Sequence, residues 1–242
     1  MAFQIAELNL SFHTRNWADE LEVICGENTP VNKTAFLVKN KPIQKFIKRI
    51  IDIILSLTAI FFLAPVFAAV AVAILLDSRG PVFFKQERVG LNGKIFHMWK
   101  FRSMSIDADK KFEQVKKLNQ TNCIMFKAKN DPRITKVGKF IRKYSLDELP
   151  QLFNILIGEM SLVGPRPPLQ REVMQYKNWH HVKFLGKPGL TGLWQVSGRS
   201  NITDFDKVIS LDYEYLRNWN LWVDLKIILK TVPVVLSAEG AG

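Results

Sequence analysis

The sequence predicts an α+β fold, mainly α, held at a membrane by one long apolar segment. Three observations predict it. Residues 53–76 carry no charged side chain, and a helix of that length, rising about 1.5 Å per residue, reaches across a hydrocarbon core of about 30 Å. Two apolar runs, Val82-Phe83-Phe84 and Ile95-Phe96-His97-Met98-Trp99, flank Asn92-Gly93, the composition of a small β-hairpin. Segments 134–144 and 219–236 set lysines beside apolar faces, as amphipathic interfacial helices do.

A chain of 242 residues without an internal repeat suits one catalytic unit with appendages. Its formal charge of +12 calls for an anionic partner: nucleic acid, lipid headgroups or a phosphorylated substrate. Charge alone does not choose. Cys25 and Cys123 support neither a disulfide framework nor a zinc site, which favours a reducing cytosolic face over secretion. Residues 1–40 mix Glu7, Arg15, Asp19 and Glu20 with isolated apolar residues. They lack the central block of a signal peptide and are expected to form a cytosolic extension.

Segment 53–76 can cross or dip. Its length favours a plain span, and proline is tolerated in spanning helices. Pro65 at its middle removes a backbone donor and bends the helix. Basic residues flank both ends: Lys39, Lys41, Lys45, Lys48 and Arg49 before it, and Arg79, Lys85, Arg88 and Lys94 after it. Because basic flanks prefer the cytoplasmic side, that pattern suits a helix-break-helix entering and leaving one leaflet. Read from residues alone, the span keeps the edge, and a buried core helix is the weakest option. Asp52 lies at helix spacing from Lys48 and Arg49 and is expected to pair with one of them, a structural role.

The hairpin, within 81–104, delivers Lys100-Phe101-Arg102. Residues 106–122 are polar and lysine-rich and read as a solvated helix or loop without chemistry. In 134–144, Val137, Phe140, Ile141 and Tyr144 share one face and Lys136, Lys139 and Lys143 another; an anionic membrane or a solvated lysine face over a core explains this equally. In 219–236, Trp219 and Trp222 beside Lys226 and Lys230 tilt the choice towards the interface.

The chemistry-bearing constellation is Ser145-Leu146-Asp147-Glu148-Leu149-Pro150-Gln151-Leu152-Phe153-Asn154. Pro150 suits the first turn of a helix, which places Asp147 and Glu148 at or just before its start. Unpaired N–H groups and the helix dipole there favour carboxylates and attract phosphate. Two adjacent acids permit one to attack phosphorus while the other holds a metal or takes a proton. Ser145-x-x-Glu148 is also a capping box, and on this motif alone the cap is the commoner explanation. Arg142, Arg166 and Arg199 could grip phosphate oxygens in a bidentate way. Pro165 and Pro167 stiffen the backbone around Arg166. Gly189, Gly192 and Gly198 precede Arg199 and permit tight turns or close approach to a ligand. His180-His181 lacks the spacing of a metal pair and reads as solvated.

An ordered series of motifs resembles the bacterial sugar transferase family, the monotopic polyprenyl-phosphate phosphoglycosyl transferases. It comprises Lys48-Arg49-Ile50-Ile51-Asp52, the proline-broken segment, Lys100-Phe101-Arg102-Ser103-Met104, Ser145-Leu146-Asp147-Glu148-Leu149, Gly164-Pro165-Arg166-Pro167 and Lys187-Pro188-Gly189-Leu190-Thr191-Gly192. The resemblance runs from about residue 45 to 236. It replaces the cap-only explanation of Glu148 and the span with a re-entrant membrane helix-break-helix at Pro65. It implies a cytosolic extension (1–44), that membrane segment (45–78) and a catalytic domain with interfacial helices (79–242), on the cytoplasmic leaflet of the bacterial inner membrane.

The implied reaction moves a sugar-1-phosphate from a UDP-sugar to polyprenyl (undecaprenyl) phosphate with Mg2+, through a covalent phosphosugar-enzyme intermediate. Asp147 matches the nucleophile and Glu148 its dyad partner, both placed at the metal. Lys100 and Arg142 fall on motif positions, while phosphate contact by Arg166 and Arg199 is inferred from charge and placement. No nucleic acid is expected, and a homo-oligomer is left open. One departure is Ala64-Pro65, where small relatives often have Ser-Pro, so the bend lacks a hydroxyl that could satisfy a freed carbonyl. Larger relatives carry membrane helices before this domain, which the polar 1–40 is not expected to supply. The rivals are a membrane-anchored protein that binds anionic lipid or an assembly partner without catalysis, and a nucleic-acid binder suggested by charge alone.

Overall fold

The computed structural model describes residues 41–108, 110–111, 115, 124, 131–198 and 202–237. The extension 1–40, Cys25, Cys123, most of 106–122 and Arg199 lie outside them.

The apolar segment is part of one helix, α1, Pro42–Asp77. Proline at its start costs nothing, because the first turn has no use for its missing N–H. Pro65 lies inside, and the helix continues through it without an interruption. Only 11% of its most apolar window is buried, which a soluble core helix would not tolerate.

The buried residues Asp52, Ser56, Val70 and Ile74 recur at helical spacing, so a single stripe faces protein. That stripe touches the domain along its whole length. Near the start, Lys41 Nζ donates to Trp219 O (2.5 Å), Lys48 Nζ pairs with Asp224 Oδ2 (2.6 Å), and Asp52 Oδ1 accepts from Leu162 N (3.0 Å). Beyond Pro65, Phe67 packs on Phe101 and Phe153 with centroids 5.3 and 6.0 Å away. At the exit, Asp77 Oδ2 accepts from Val137 N (3.1 Å), while Arg102 donates to the carbonyls of Ser78 and Arg79. Asp52 therefore does not pair with Lys48 or Arg49. Lys48 has a buried carboxylate to answer, and Arg49 caps the carbonyls of Ile155 and Leu156.

The hairpin forms as expected but longer: β1, Phe83–Val89, pairs antiparallel with β2, Ile95–Phe101. Asn92 (φ 55°) and Gly93 (φ 75°) turn the chain, in the left-handed region such residues tolerate. Helix α2, Lys136–Lys143, is capped by the Thr135 hydroxyl, which accepts from Gly138 N. Its Ile141 is buried beside Val70, Ile74 and Phe101, and Phe140 is exposed, so only part of the apolar face covers core.

A 3-10 turn, Leu146–Glu148, precedes α3, Gln151–Ile157. A short parallel pair follows: β3, Ser161–Val163, with β4, Gly189–Thr191. Between them come α4, Gln170–Val173, and a 3-10 helix, Asn178–Leu185. Then follow α5, Leu193–Val196, α6, Phe205–Asn218, and α7, Leu221–Leu236.

The largest core joins Val163, Leu193, Val208, Tyr215 and Ile227. Trp219 belongs to it, buried and donating Nε1–H to Asp224 Oδ2 (3.1 Å); of the two tryptophans expected at the interface only Trp222 is exposed. His180 is not solvated. Nδ1 accepts from Lys177 N (3.1 Å) and Nε2 lies 2.8 Å from Asp206 Oδ1, so the ring is a buried neutral tautomer, and burial lowers its pKa.

Candidate active site

Three segments converge: the end of β2, the 3-10 turn before α3, and the turn 164–167 after β3. Ser145 enters the 3-10 turn at φ 55°, a left-handed conformation costly for a non-glycine residue. The turn sets Asp147 and Glu148 before Pro150, so they are not in the first turn of α3. Glu148 does not cap. Its Oε1 accepts from Lys100 Nζ (3.1 Å) and Arg166 Nη1 (3.2 Å), while the Ser145 side chain makes no cap bond.

Asp147 is buried but accepts no hydrogen bond from the described residues; Lys100 Nζ lies 3.9 Å from Oδ2. The two carboxyls diverge in charge preference. Burial opposes the Glu148 charge, but Lys100 and Arg166 outweigh it and hold its pKa well below the ordinary range. Burial raises the pKa of Asp147, and Glu148 adds to the rise, against Lys100 and Arg142. Burial also lowers the Lys100 pKa, opposed by Glu148 and Asp147. Neighbouring carboxylates in one dry site separate in this way.

Arg166 reaches Glu148 because its turn is fastened on both sides. Gly164 N donates to Thr191 O (2.9 Å) and Gly189 N to Pro165 O (3.0 Å). A Cβ on Gly164 would lie 2.2 Å from Lys187 O, and one on Gly192 would lie 2.3 Å from Gly164 O. These glycines let backbone meet backbone; close approach to a ligand is not their main use here. On the other side Arg88 Nη1 donates to Pro167 O (2.9 Å), and Gln86 Oε1 accepts from Nη2 (2.6 Å).

Of the expected residues, Lys100, Asp147, Glu148 and Arg166 meet directly. Arg142, in the last turn of α2, acts on Asp147 through its charge. Arg199 lies outside the described residues. Arg88, expected as a membrane-flanking cation, is instead buried. Burial and then Arg166 lower its pKa to about 10. Asn154 was assigned nothing in the sequence, yet it is fully buried and ties α3 to β2: Oδ1 accepts from Trp99 N (2.9 Å) and Nδ2 donates to His97 O (2.8 Å). The signal for Arg88 was available, since alternation from Lys85 puts it on the inward face of its strand.

Among the described residues no cluster of three or more His, Cys, Asp or Glu could hold a metal. Asp147 and Glu148 still form a donor pair suited to Mg2+, which takes one or two carboxylates and completes its shell with water and substrate phosphates. Two carboxylates amid Lys100, Arg166, Arg142 and Arg88 can receive a diphosphate and present an oxygen to it.

A sequence profile for bacterial sugar transferases matches residues 43–238. The galactosyl transferase CpsE of Streptococcus agalactiae is 55% identical over 166 residues, 67% of this chain and 36% of that protein. The undecaprenyl-phosphate galactose phosphotransferase of Salmonella typhimurium is 44% identical over 205 residues, 82% of this chain and 42% of that protein. The chain thus spans under half the length of either. The exopolysaccharide production protein ExoY of Rhizobium meliloti is 38% identical over 205 residues, 83% of this chain and 90% of that protein.

Proposed function

Since the chain belongs to the bacterial sugar transferase family, we propose that it moves a sugar-1-phosphate from a UDP-sugar to polyprenyl phosphate at the cytoplasmic face of the inner membrane. The observation that carries this is the division within the carboxyl pair. Glu148 is committed to Lys100 and Arg166, whereas Asp147 is buried, close to both cations' field and without a hydrogen bond from the described residues.

Phosphoryl transfer is mostly positioning and charge neutralisation. An arriving diphosphate shares Lys100 and Arg166 with Glu148, which keeps both cations aimed at one spot. The Asp147 carboxylate attacks the phosphorus bound to the sugar, the bond to UMP breaks, and UMP leaves with the electron pair. An oxygen of polyprenyl phosphate then attacks the same phosphorus and releases Asp147. Asp147 and Glu148 would hold Mg2+, which would neutralise part of the diphosphate charge. Lys100, Arg142 and Arg166 favour the ionised form of Asp147 that attacks, against the burial and the Glu148 charge that raise its pKa.

The α1 helix is proposed to enter and leave the cytoplasmic leaflet. Both of its halves are anchored to the same domain, and a helix crossing to the other side would have to take one set of anchors with it. Among the described residues the most exposed phenylalanines, Phe61 and Phe62, precede Pro65 at its middle.

The test is intact-mass measurement of the full chain in nanodiscs after exposure to individual UDP-sugars. A gain equal to one sugar phosphate is expected, with Asp147→Asn losing both the adduct and turnover while staying in the membrane. Turnover surviving in Asp147→Asn would leave the carboxyl pair with a binding role only.

A further inference from the structure

On the outer face of the hairpin three cross-strand pairs succeed one another. Phe83 stacks on Phe101 (centroids 5.2 Å apart), Lys85 Nζ lies 4.2 Å over the Trp99 ring, and Glu87 Oε1 stands 3.7 Å from His97 Nε2. The opposite face carries Lys100 and Arg88 to the site and Phe96 and Met98 into the core, with Phe84 exposed. The first pair is continuous with the membrane helix, because Phe67 packs against Phe101 (5.3 Å). Moving away from α1, the face changes from aromatic, to a cation on tryptophan, to an exposed Glu87–His97 contact, and ends at Val89 and Ile95 by the turn.

We propose that this face is a second membrane contact, graded in depth, that takes anionic phosphate headgroups. Phe83 lies at the acyl boundary, Lys85 and Trp99 lie among the headgroups, and Glu87 and His97 lie in water. Like pairs on one strand face repeat about every 7 Å. The headgroup layer is roughly 5–7 Å thick on each side of the hydrocarbon, so one pair spans it. Tryptophan prefers that layer, and a lysine there attracts anionic lipid while its stem lies along apolar surface. The grading also explains the charges: Glu87 one pair deeper would face anionic lipid, and Lys85 one pair shallower would be attracted to it less. The contact would fix the tilt of the strand that carries Lys100, and with it the height of the site above the bilayer. It rests on the reading that α1 lies in the membrane.

The test is spin-label depth by electron paramagnetic resonance in nanodiscs of phosphatidylethanolamine and phosphatidylglycerol. Single cysteines replace Phe83, Lys85 or Glu87 in the full chain, with Cys25 and Cys123 changed to Ser and Phe62→Cys as the anchor control. The expected result is exposure to oxygen falling, and exposure to aqueous nickel rising, from 83 to 87, a depth difference of up to about 13 Å. Equal aqueous exposure at 83, 85 and 87 with a lipid-buried label at 62 overturns the proposal and spares the anchor. An aqueous label at 62 overturns both. Dipolar broadening between labels at 85 identifies a second copy as the occupant and also overturns it.

Discussion

Asn154 offers a sharp test of what holds the site's two halves together. Its orientation is dictated by backbone: Trp99 N–H needs the oxygen, and His97 C=O needs the amide nitrogen, which also donates to Glu159 Oε2 at 2.6 Å. Asn154→Ala removes three side-chain hydrogen bonds in a fully buried place. At about 1 kcal/mol net each, with a further cost for the orphaned Trp99 N–H, the loss is about 3–4 kcal/mol. For a chain of this size that lowers the Tm by roughly 6–16 °C. Asn154→Asp, although isosteric, is expected to be worse at neutral pH. It keeps the acceptor for Trp99 but sets a carboxylate against Glu159 and a carbonyl oxygen, a repulsion of order 4 kcal/mol between charges about 4 Å apart. Burial and the like charge raise the folded pKa of the new carboxyl above its unfolded value of about 4. Its stability is therefore present at acid pH and lost as pH rises. Thermal denaturation in detergent, followed by circular dichroism from pH 5 to 9, reads both effects. An Asn154→Asp protein as stable as the parent across that range would refute the donor assignment, and with it the clamp between α3 and β2.

Arg88→Lys should lower kcat/KM about ten- to hundred-fold, since an ammonium cannot bridge Gln86 Oε1 and Pro167 O as the guanidinium does and each tenfold reflects about 1.4 kcal/mol; steady-state kinetics at fixed lipid composition check this. Lys48→Met should destabilise by about 3–5 kcal/mol, because Asp224, which also accepts from Tyr215 and Trp219, is left a buried carboxylate without its cation. Chemical denaturation of the single variant beside Lys48→Met/Asp224→Leu tests it: the double change recovers the part due to the unpaired charge and keeps the loss from the Trp219 and Tyr215 donors, which lose an acceptor. His180 favours its neutral form in the fold, so its contribution is present above the unfolded pKa of about 6.5 and is lost as pH falls below it. Melting curves between pH 8 and 5 should show that decline, flattened in His180→Gln.

Local pattern was enough for the elements whose cause is local. An uncharged run makes α1 apolar whatever surrounds it, Asn92-Gly93 turns the hairpin, and Pro150 starts α3 near the carboxyl pair. The resemblance singled out Asp147, Glu148 and Lys100, and charge between two prolines singled out Arg166. What they did not disclose was partnership. Ser145-x-x-Glu148 satisfies a capping pattern, and only folding brings Lys100, 48 residues away, and Arg166 close enough to claim the same oxygen. Arg88 and Lys48 read as headgroup charges until packing buried one under Pro167 and matched the other to Asp224. Trp219 and His180 read as surface residues until the fold enclosed them. The physical reason is range: backbone preference and hydrophobic period act over a few residues and are written in the chain, whereas a charge's pKa and its partner depend on what folding places within a few ångströms of it.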